Sequence, residues 1–297
     1  MKKVLSCLLA LILAAAVPAC SSGAAAPTPD PDAQPSQTSS AQPSEAPGQE
    51  EVEIIVFAAA SMTETLNEIA QDYKTVAPHV TLVFNFDSSG TLKTQIQEGA
   101  ECDLFISAAQ KQMNQLDAAK DAEGGNTEGL DYIRSDSRVN LLENKVVLVA
   151  PQGNPAGVTS FEDAATGKVQ LMALGNSDVP VGQYSEEIFT YLGLWEQLNE
   201  GQKITFGTNV KEVTSQVAAG SVDCGVIYAT DAASAIAAGD AIEVVAQAPE
   251  GSHAPVIYPA AVLKDAKYPD EAQAFLDYLR SSACTPVFES VGFSIPQ

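Results

Sequence analysis

A two-lobed α/β fold is predicted by three features of the sequence. From residue 52 onward, short apolar runs of strand character alternate with segments of helical spacing. That alternating region is about 245 residues long, large for one sheet and ordinary for two lobes. A segment of quite different composition precedes it, so the boundary near residue 51 is sharp. Alternation of this kind predicts parallel sheets with helices on both faces. No internal repeat is visible in the 297 residues.

The first nineteen residues read as a secretory signal. Lys2 and Lys3 form a basic start, residues 8–17 are uninterrupted apolar, and Pro18-Ala19-Cys20 ends the run. The run is too short to span a bilayer comfortably. Val17-Pro18-Ala19-Cys20 resembles a bacterial lipobox, which implies that Cys20 is diacylated and anchors the chain to the cell membrane, two buried chains holding where one does not. Residues 21–50 are mostly Ser, Ala, Pro, Gln and Gly with a few acids and no aromatic, and with Cys20 they make up the segment 20–50. They cannot bury enough apolar area to offset ordering entropy and are expected to form a disordered tether.

The elements of the main region follow in order. Residues 52–60 predict a buried strand through Ile54, Ile55, Val56 and Phe57, and residues 62–75 a helix through Leu66, Ile69, Ala70 and Tyr73. Strands at 80–86 and 103–107 are each followed by helices, at 91–98 and 110–119, and residues 121–131 form a Gly- and acid-rich loop. In the second half, strands are predicted at 145–150, 169–174, 204–206, 224–228, 242–246 and 256–263. Helices are predicted at 185–192, 211–219 and 230–238, and two more close the chain. The expected division is 51–143 with 252–297 in the first lobe and 144–251 in the second, with a hinge at Glu143-Asn144-Lys145 and near Pro249 to Pro255.

Charge and cysteine usage exclude several classes. The formal net charge is −23, from 38 acids against 15 bases. Such a chain is unsuited to nucleic acid or to an anionic lipid surface. A small anion is still admissible, because one site can be positive while the surface is negative. Two His and three Arg leave little for a histidine metal site or an arginine clamp. No His, Cys or carboxylate cluster converges on the strand tips, so neither a bound metal cation nor a cofactor is expected. Cys102, Cys224 and Cys284 remain after Cys7 and Cys20 are set aside; the odd number and apolar contexts predict buried thiols and no disulfide.

In open α/β sheets, ligands sit beyond the carboxyl ends of strands. Five strand-to-helix turns are candidates on that basis. They are Ala58-Ala59-Ala60-Ser61-Met62-Thr63-Glu64, Asp87-Ser88-Ser89-Gly90-Thr91-Leu92, Val179-Pro180-Val181-Gly182-Gln183-Tyr184, Asn209-Val210-Lys211-Glu212 and Tyr228-Ala229-Thr230-Asp231. Ser61 and Glu64 fit a capping box. The turns are mostly small, hydroxyl or Gly residues, with Lys211 their one base. Each alone suits a helix cap; together they suit an anion held by backbone N–H groups and hydroxyls.

Five stretches, in order along the chain, resemble the molybdate-binding proteins of ABC importers. They are Phe57-Ala58-Ala59-Ala60-Ser61, Ser88-Ser89-Gly90-Thr91-Leu92, Asp103-Leu104-Phe105-Ile106-Ser107-Ala108, Val179-Pro180-Val181-Gly182 and Gly225-Val226-Ile227-Tyr228. Tyr278-Leu279 and Gly292-Phe293 extend the likeness towards Ile295. The resemblance implies a type II periplasmic-binding-protein fold closing on a tetrahedral oxyanion, molybdate or tungstate. Carried over by position, the implied contacts are the hydroxyls and amides of Ser61 and Ser89, the amides of Val181 and Val210, and the Tyr228 phenol. It also implies a permease and a cytoplasmic ATPase as partners and a monomeric receptor outside the cytoplasm. Two departures stand out: Gly90 lacks a hydroxyl that some members carry there, and the 121–131 loop is long.

A fully deprotonated oxyanion only accepts hydrogen bonds, so a site of donors suits molybdate, tungstate and sulfate better than phosphate, which keeps a proton. Sulfate or another oxyanion is the alternative ligand. An adhesive lipoprotein with no small ligand is a second alternative, in which the turns are plain caps. A serine hydrolase is disfavoured: no G-x-S-x-G elbow is present, and only His79 and His253 are available as a base. No catalytic residue is expected, and the chain has no G-x-x-x-x-G-K-[ST] nucleotide motif.

Overall fold

The computed structural model describes residues 50–296. The predicted signal, Cys20 and nearly all of the predicted tether lie outside the described residues. The first lobe opens with β1 (Val52–Ala59), α1 (Thr63–Val76), β2 (Val80–Asp87), α2 (Ser89–Gln97), β3 (Leu104–Ile106), α3 (Gln110–Leu116) and β4 (Val139–Asn144). Only Lys145 separates β4 from β5 (Val146–Pro151), which begins the second lobe. That lobe continues through β6 (Met172–Gly175), α4 (Pro180–Tyr191), α5 (Trp195–Glu200), β7 (Ile204–Gly207), α6 (Val210–Ala218), β8 (Cys224–Tyr228), α7 (Ala229–Ala238) and β9 (Ile242–Gln247). The chain then returns to the first lobe as β10 (Val256–Val262), α8 (Pro269–Leu279) and α9 (Thr285–Ser290).

Each lobe is built on a five-stranded sheet, in the orders β2-β1-β3-β10-β4 and β7-β6-β8-β5-β9. Both sheets are mixed, which corrects the expectation of parallel sheets. In the first, β1 runs parallel to β2 and β3, while β10 is antiparallel to β3 and β4. In the second, β6 is parallel to β7 and β8, and β5 is antiparallel to β8 and β9. The antiparallel strands are those beside the two crossings. β5 and β10 each enter a lobe from the other one rather than through a helix, so no right-handed βαβ crossover dictates their direction.

The alternation along β1 explains why helices cover both faces of the first sheet. Ile54, Val56 and Ala58 point to one face and join Leu66, Ile69 and Tyr73 of α1 in a core. Phe57 points to the other and packs with Leu92, Ile96, Met113 and Leu116 of α2 and α3. The thiols of Cys102, Cys224 and Cys284 are free and buried. Among the described residues no helix is long and apolar enough to cross a membrane.

Candidate functional site

The carboxyl ends of β1, β2, β6, β7 and β8 lead into helical starts on the facing walls of the two lobes. Ser61 is the middle residue of a 3-10 turn, Ala60–Met62, between β1 and α1. Ser89 is the first residue of α2, with Ser88 as its N-cap: Thr91 N–H donates to Ser88 Oγ at 3.1 Å. Val181 is the second residue of α4, after Pro180 in the first turn. Val210 is the first residue of α6, capped by Asn209, whose Oδ1 accepts from Glu212 N–H at 3.1 Å. Tyr228 is the last residue of β8 and the N-cap of α7. First-turn amides have no acceptor within their own helix, so Ser89, Val181 and Val210 offer free donors and the positive end of a helix dipole.

All five residues are buried: Ser61 and Val210 are 4% exposed, Tyr228 is 2%, and Ser89 and Val181 are fully enclosed. Contacts join the walls around them. Ser61 Oγ lies 2.8 Å from Tyr258 Oη of β10. The Tyr258 ring stands edge-on to Tyr228, with centroids 5.9 Å apart, and Tyr228 is edge-on to Tyr184 of α4 at 6.4 Å. Asn209 Nδ2 donates to Asp87 Oδ1 at 3.2 Å. Gly90 sits so close to the Asp178 carbonyl that any side chain there would overlap it. The missing hydroxyl at Gly90 therefore has a steric counterpart: here the backbone of one lobe rests directly on the other.

The capping box expected at Ser61 and Glu64 does not form, and no side-chain cap starts that helix. Ser61 Oγ turns instead to Tyr258, and Glu64 reaches across the cleft to Lys211 Nζ at 2.7 Å. Lys211 also lies 3.1 Å from Asp231 Oδ1. Burial opposes the Lys211 charge, but Asp231 and Glu64 outweigh it and hold its pKa above the usual lysine value. The one base in the five turns is thus committed to two carboxylates. Asp231 is completely buried, and burial pushes its pKa up to about 6 against the pull of Lys211.

Ser89 Oγ accepts from Ala108 N–H at 2.9 Å. The Tyr228 hydroxyl is buried and has no hydrogen-bond partner within the protein. Burial raises its pKa well above the ordinary tyrosine value, so it remains an O–H donor. A buried donor without an acceptor is rare in folded chains and calls for a partner from outside. Among the described residues no cluster of His, Cys, Asp or Glu is placed to hold a metal ion. The five positions themselves offer neutral donors, and Lys211, the one base of these turns, is paired with Glu64 and Asp231.

Reading the sequence missed Asn144 and Tyr258, which lie behind Ser61. Asn144 Nδ2 donates to Tyr258 Oη at 3.1 Å and to Thr230 Oγ1 at 2.8 Å. An aromatic in an apolar strand reads as core, and Tyr258 is fully buried; its polar end is visible only in three dimensions. His79 and His253 are both half-buried, and His253 packs edge-on to Tyr184 at 5.6 Å.

A family model for bacterial extracellular solute-binding proteins matches residues 54–294. The Bacillus subtilis (strain 168) protein YvgL, provisionally named an ABC transporter substrate-binding lipoprotein, is 36% identical over 247 residues, covering 83% of this chain and 88% of the relative. The molybdate-binding protein ModA of Haemophilus influenzae is 35% identical over 245 residues, or 81% of this chain and 89% of ModA. Among solved structures, the substrate-binding domain of a proposed molybdenum ABC transporter from Clostridium difficile aligns with a TM-score of 0.60 at 36% identity, covering 82% of this chain and 99% of that one.

Proposed function

The chain belongs to the bacterial extracellular solute-binding proteins, as the substrate-binding protein of an ABC transporter, and from that premise we propose that its solute is molybdate or tungstate, captured between the lobes. The observation that carries this reading is the buried, unpartnered Tyr228 hydroxyl beside a set of helix starts with no free base. In this reading the amides of Ser61, Ser89, Val181 and Val210, the two serine hydroxyls and the Tyr228 phenol donate to the oxyanion. Molybdate, which the ModA relatives of this chain carry in their names, supports the same choice.

Neutral donors suit a dianion with no proton of its own. Each hydrogen bond to a charged group contributes roughly 1.5–3 kcal/mol. Several of them, less the dehydration of the ion, leave affinities of about micromolar or tighter. Closure moves the two lobes, divided at 143–145 and 249–255, about their two crossings. The closed form is what a permease reads before its ATPase drives import. Cys20 anchors the monomeric receptor to the membrane through the 20–50 tether.

Isothermal titration of the purified protein with molybdate, tungstate, sulfate and phosphate, at one pH and one salt concentration, tests the assignment. Tight molybdate and tungstate binding with weak sulfate is expected. Equal sulfate binding moves the ligand to sulfate while keeping the site. No heat with any of them, on folded and ligand-free protein, refutes the oxyanion reading.

A further inference from the structure

A serine hydroxyl can donate or accept, and a donor-only site requires that Ser61 donate. The structure holds a device that sets this direction. Lys145 N–H donates to Asn144 Oδ1 at 2.8 Å. A backbone amide can only donate, so it fixes which end of the Asn144 amide is oxygen. The other end is the NH2 group, which donates to Tyr258 Oη and Thr230 Oγ1. Tyr258 is fully buried, and its hydroxyl has two neighbours, Asn144 and Ser61. With Asn144 donating, the phenol proton goes to Ser61 Oγ, 2.8 Å away. Were Ser61 to donate instead, the Tyr258 proton would be buried with no acceptor, a state that folded chains avoid. The Ser61 proton is then left to face the cleft.

We propose that Asn144 and Tyr258 are positioning residues that make Ser61 a hydrogen-bond donor towards the oxyanion, and that they thereby discriminate against oxyanions that carry a proton. The inference rests on the oxyanion reading of the cleft. The hydrogen bonds run one way, from Asn144 to Tyr258, to Ser61, to the ligand. Ser89 is arranged alike, since Ala108 N–H supplies its oxygen with a donor and leaves its proton free. An oxyanion bearing a proton, such as hydrogen phosphate, needs an acceptor at one of these points. If it donated to Ser61, the serine proton would be stranded.

The direction can be reversed without changing side-chain size. In Asn144→Asp the carboxylate accepts the Tyr258 proton, Tyr258 accepts from Ser61, and Ser61 presents a lone pair to the ligand. The added charge repels all dianions alike, so the readout is the ratio of molybdate to phosphate affinity, by titration and competition at about pH 8, where phosphate is mainly a dianion. That ratio is expected to fall by about 10-fold or more, one hydrogen bond to a charged group being exchanged for an opposed one. In a Ser61→Ala background the same change is expected to leave the ratio where Ser61→Ala alone puts it. Tyr258→Phe is the second variant. It is expected to weaken molybdate binding about 3- to 10-fold when Ser61 is present and to add nothing to Ser61→Ala, a non-additive cycle. If Asn144→Asp does not fold, the Tyr258 cycle decides alone. An unchanged ratio with Asn144→Asp, or an additive Tyr258 cycle, overturns the positioning role while wild-type molybdate binding preserves the oxyanion reading. Wild-type protein that binds no oxyanion overturns both.

Discussion

Gly90 offers a way to separate closure from folding. It is the second residue of α2, and a methyl group built there stands 2.2 Å from the Asp178 carbonyl oxygen and 2.9 Å from its carbonyl carbon. Both are backbone atoms of the opposite lobe, so no side chain can rotate away. Ordinary contact begins at about 3.4 Å, so the walls must part locally by about 1 Å to admit the methyl. Overpacking of this sort costs about 1–3 kcal/mol, which weakens ligand binding about 5- to 150-fold if binding requires the closed form. Within its own lobe the substitution has the opposite sign. Gly90 is not among the positive-φ glycines, and alanine favours a helix by up to about 1 kcal/mol over glycine. Gly90→Ala is therefore expected to bind molybdate more weakly while ligand-free protein melts at the same temperature or higher. Calorimetric titration and thermal unfolding without ligand read the two effects separately. Affinity within twofold of wild type, or a clear fall in ligand-free Tm, would refute the reasoning.

Tyr228→Phe removes a buried hydroxyl that has no protein partner; the ligand-free Tm should hold or rise while molybdate affinity falls about 10-fold, seen by thermal shift with and without molybdate. Gly182 is crowded from within its own lobe, its Cβ position lying 2.3 Å from both the Asn176 and Gly175 carbonyl oxygens. Gly182→Ala should lower the urea midpoint of ligand-free protein by an amount matching about 1–3 kcal/mol, the reverse of the Gly90 result. Asp231 has a folded pKa of about 6, above its unfolded value of about 3.9. Its contribution to stability is therefore fully present below about pH 4 and lost as pH rises to about 6. Asp231→Asn should flatten stability across that window, measured by urea unfolding at steps of pH, and a curve with the wild-type slope would exclude Asp231 as its source.

Much of the fold was legible because strand and helix periods differ and the strands are bounded by turns. The strand predicted at 224–228 coincides with β8, Cys224–Tyr228. What escaped has physical reasons. β4, Val139–Asn144, reads VNLLEN, with an exposed Asn140 and two partly exposed neighbours, and it is held by β10, far away in sequence. Neither its period nor its composition marks it. The first turn of α4 was missed because Pro180 suggests an interruption, although proline is suited to a helix start. α5 is six residues long, too short to show a period. The mixed strand directions follow from the path between lobes, which no local pattern encodes. At the candidate site, the five turns lie where strand tips and helix starts were expected. The directional contacts behind them were not legible: Ser61 stands in a helix-start turn and Tyr258 in an apolar strand nearly two hundred residues away, and only their meeting at 2.8 Å joins the two.

Asn144 stands at the end of β4, one residue before the chain enters the second lobe, and it bonds Tyr258 in one lobe and Thr230 in the other. That location, at a crossing between the lobes, amplifies displacement. Near a pivot, displacements are small, and they grow in proportion to the distance from it. A ligand gripped close to the axle has only a short stroke to make before its hydrogen bonds are complete. The same rotation sweeps the distant rims through a longer arc. On the proposed function, an ion of a few atoms thus sets the posture of a surface broad enough for a permease to inspect.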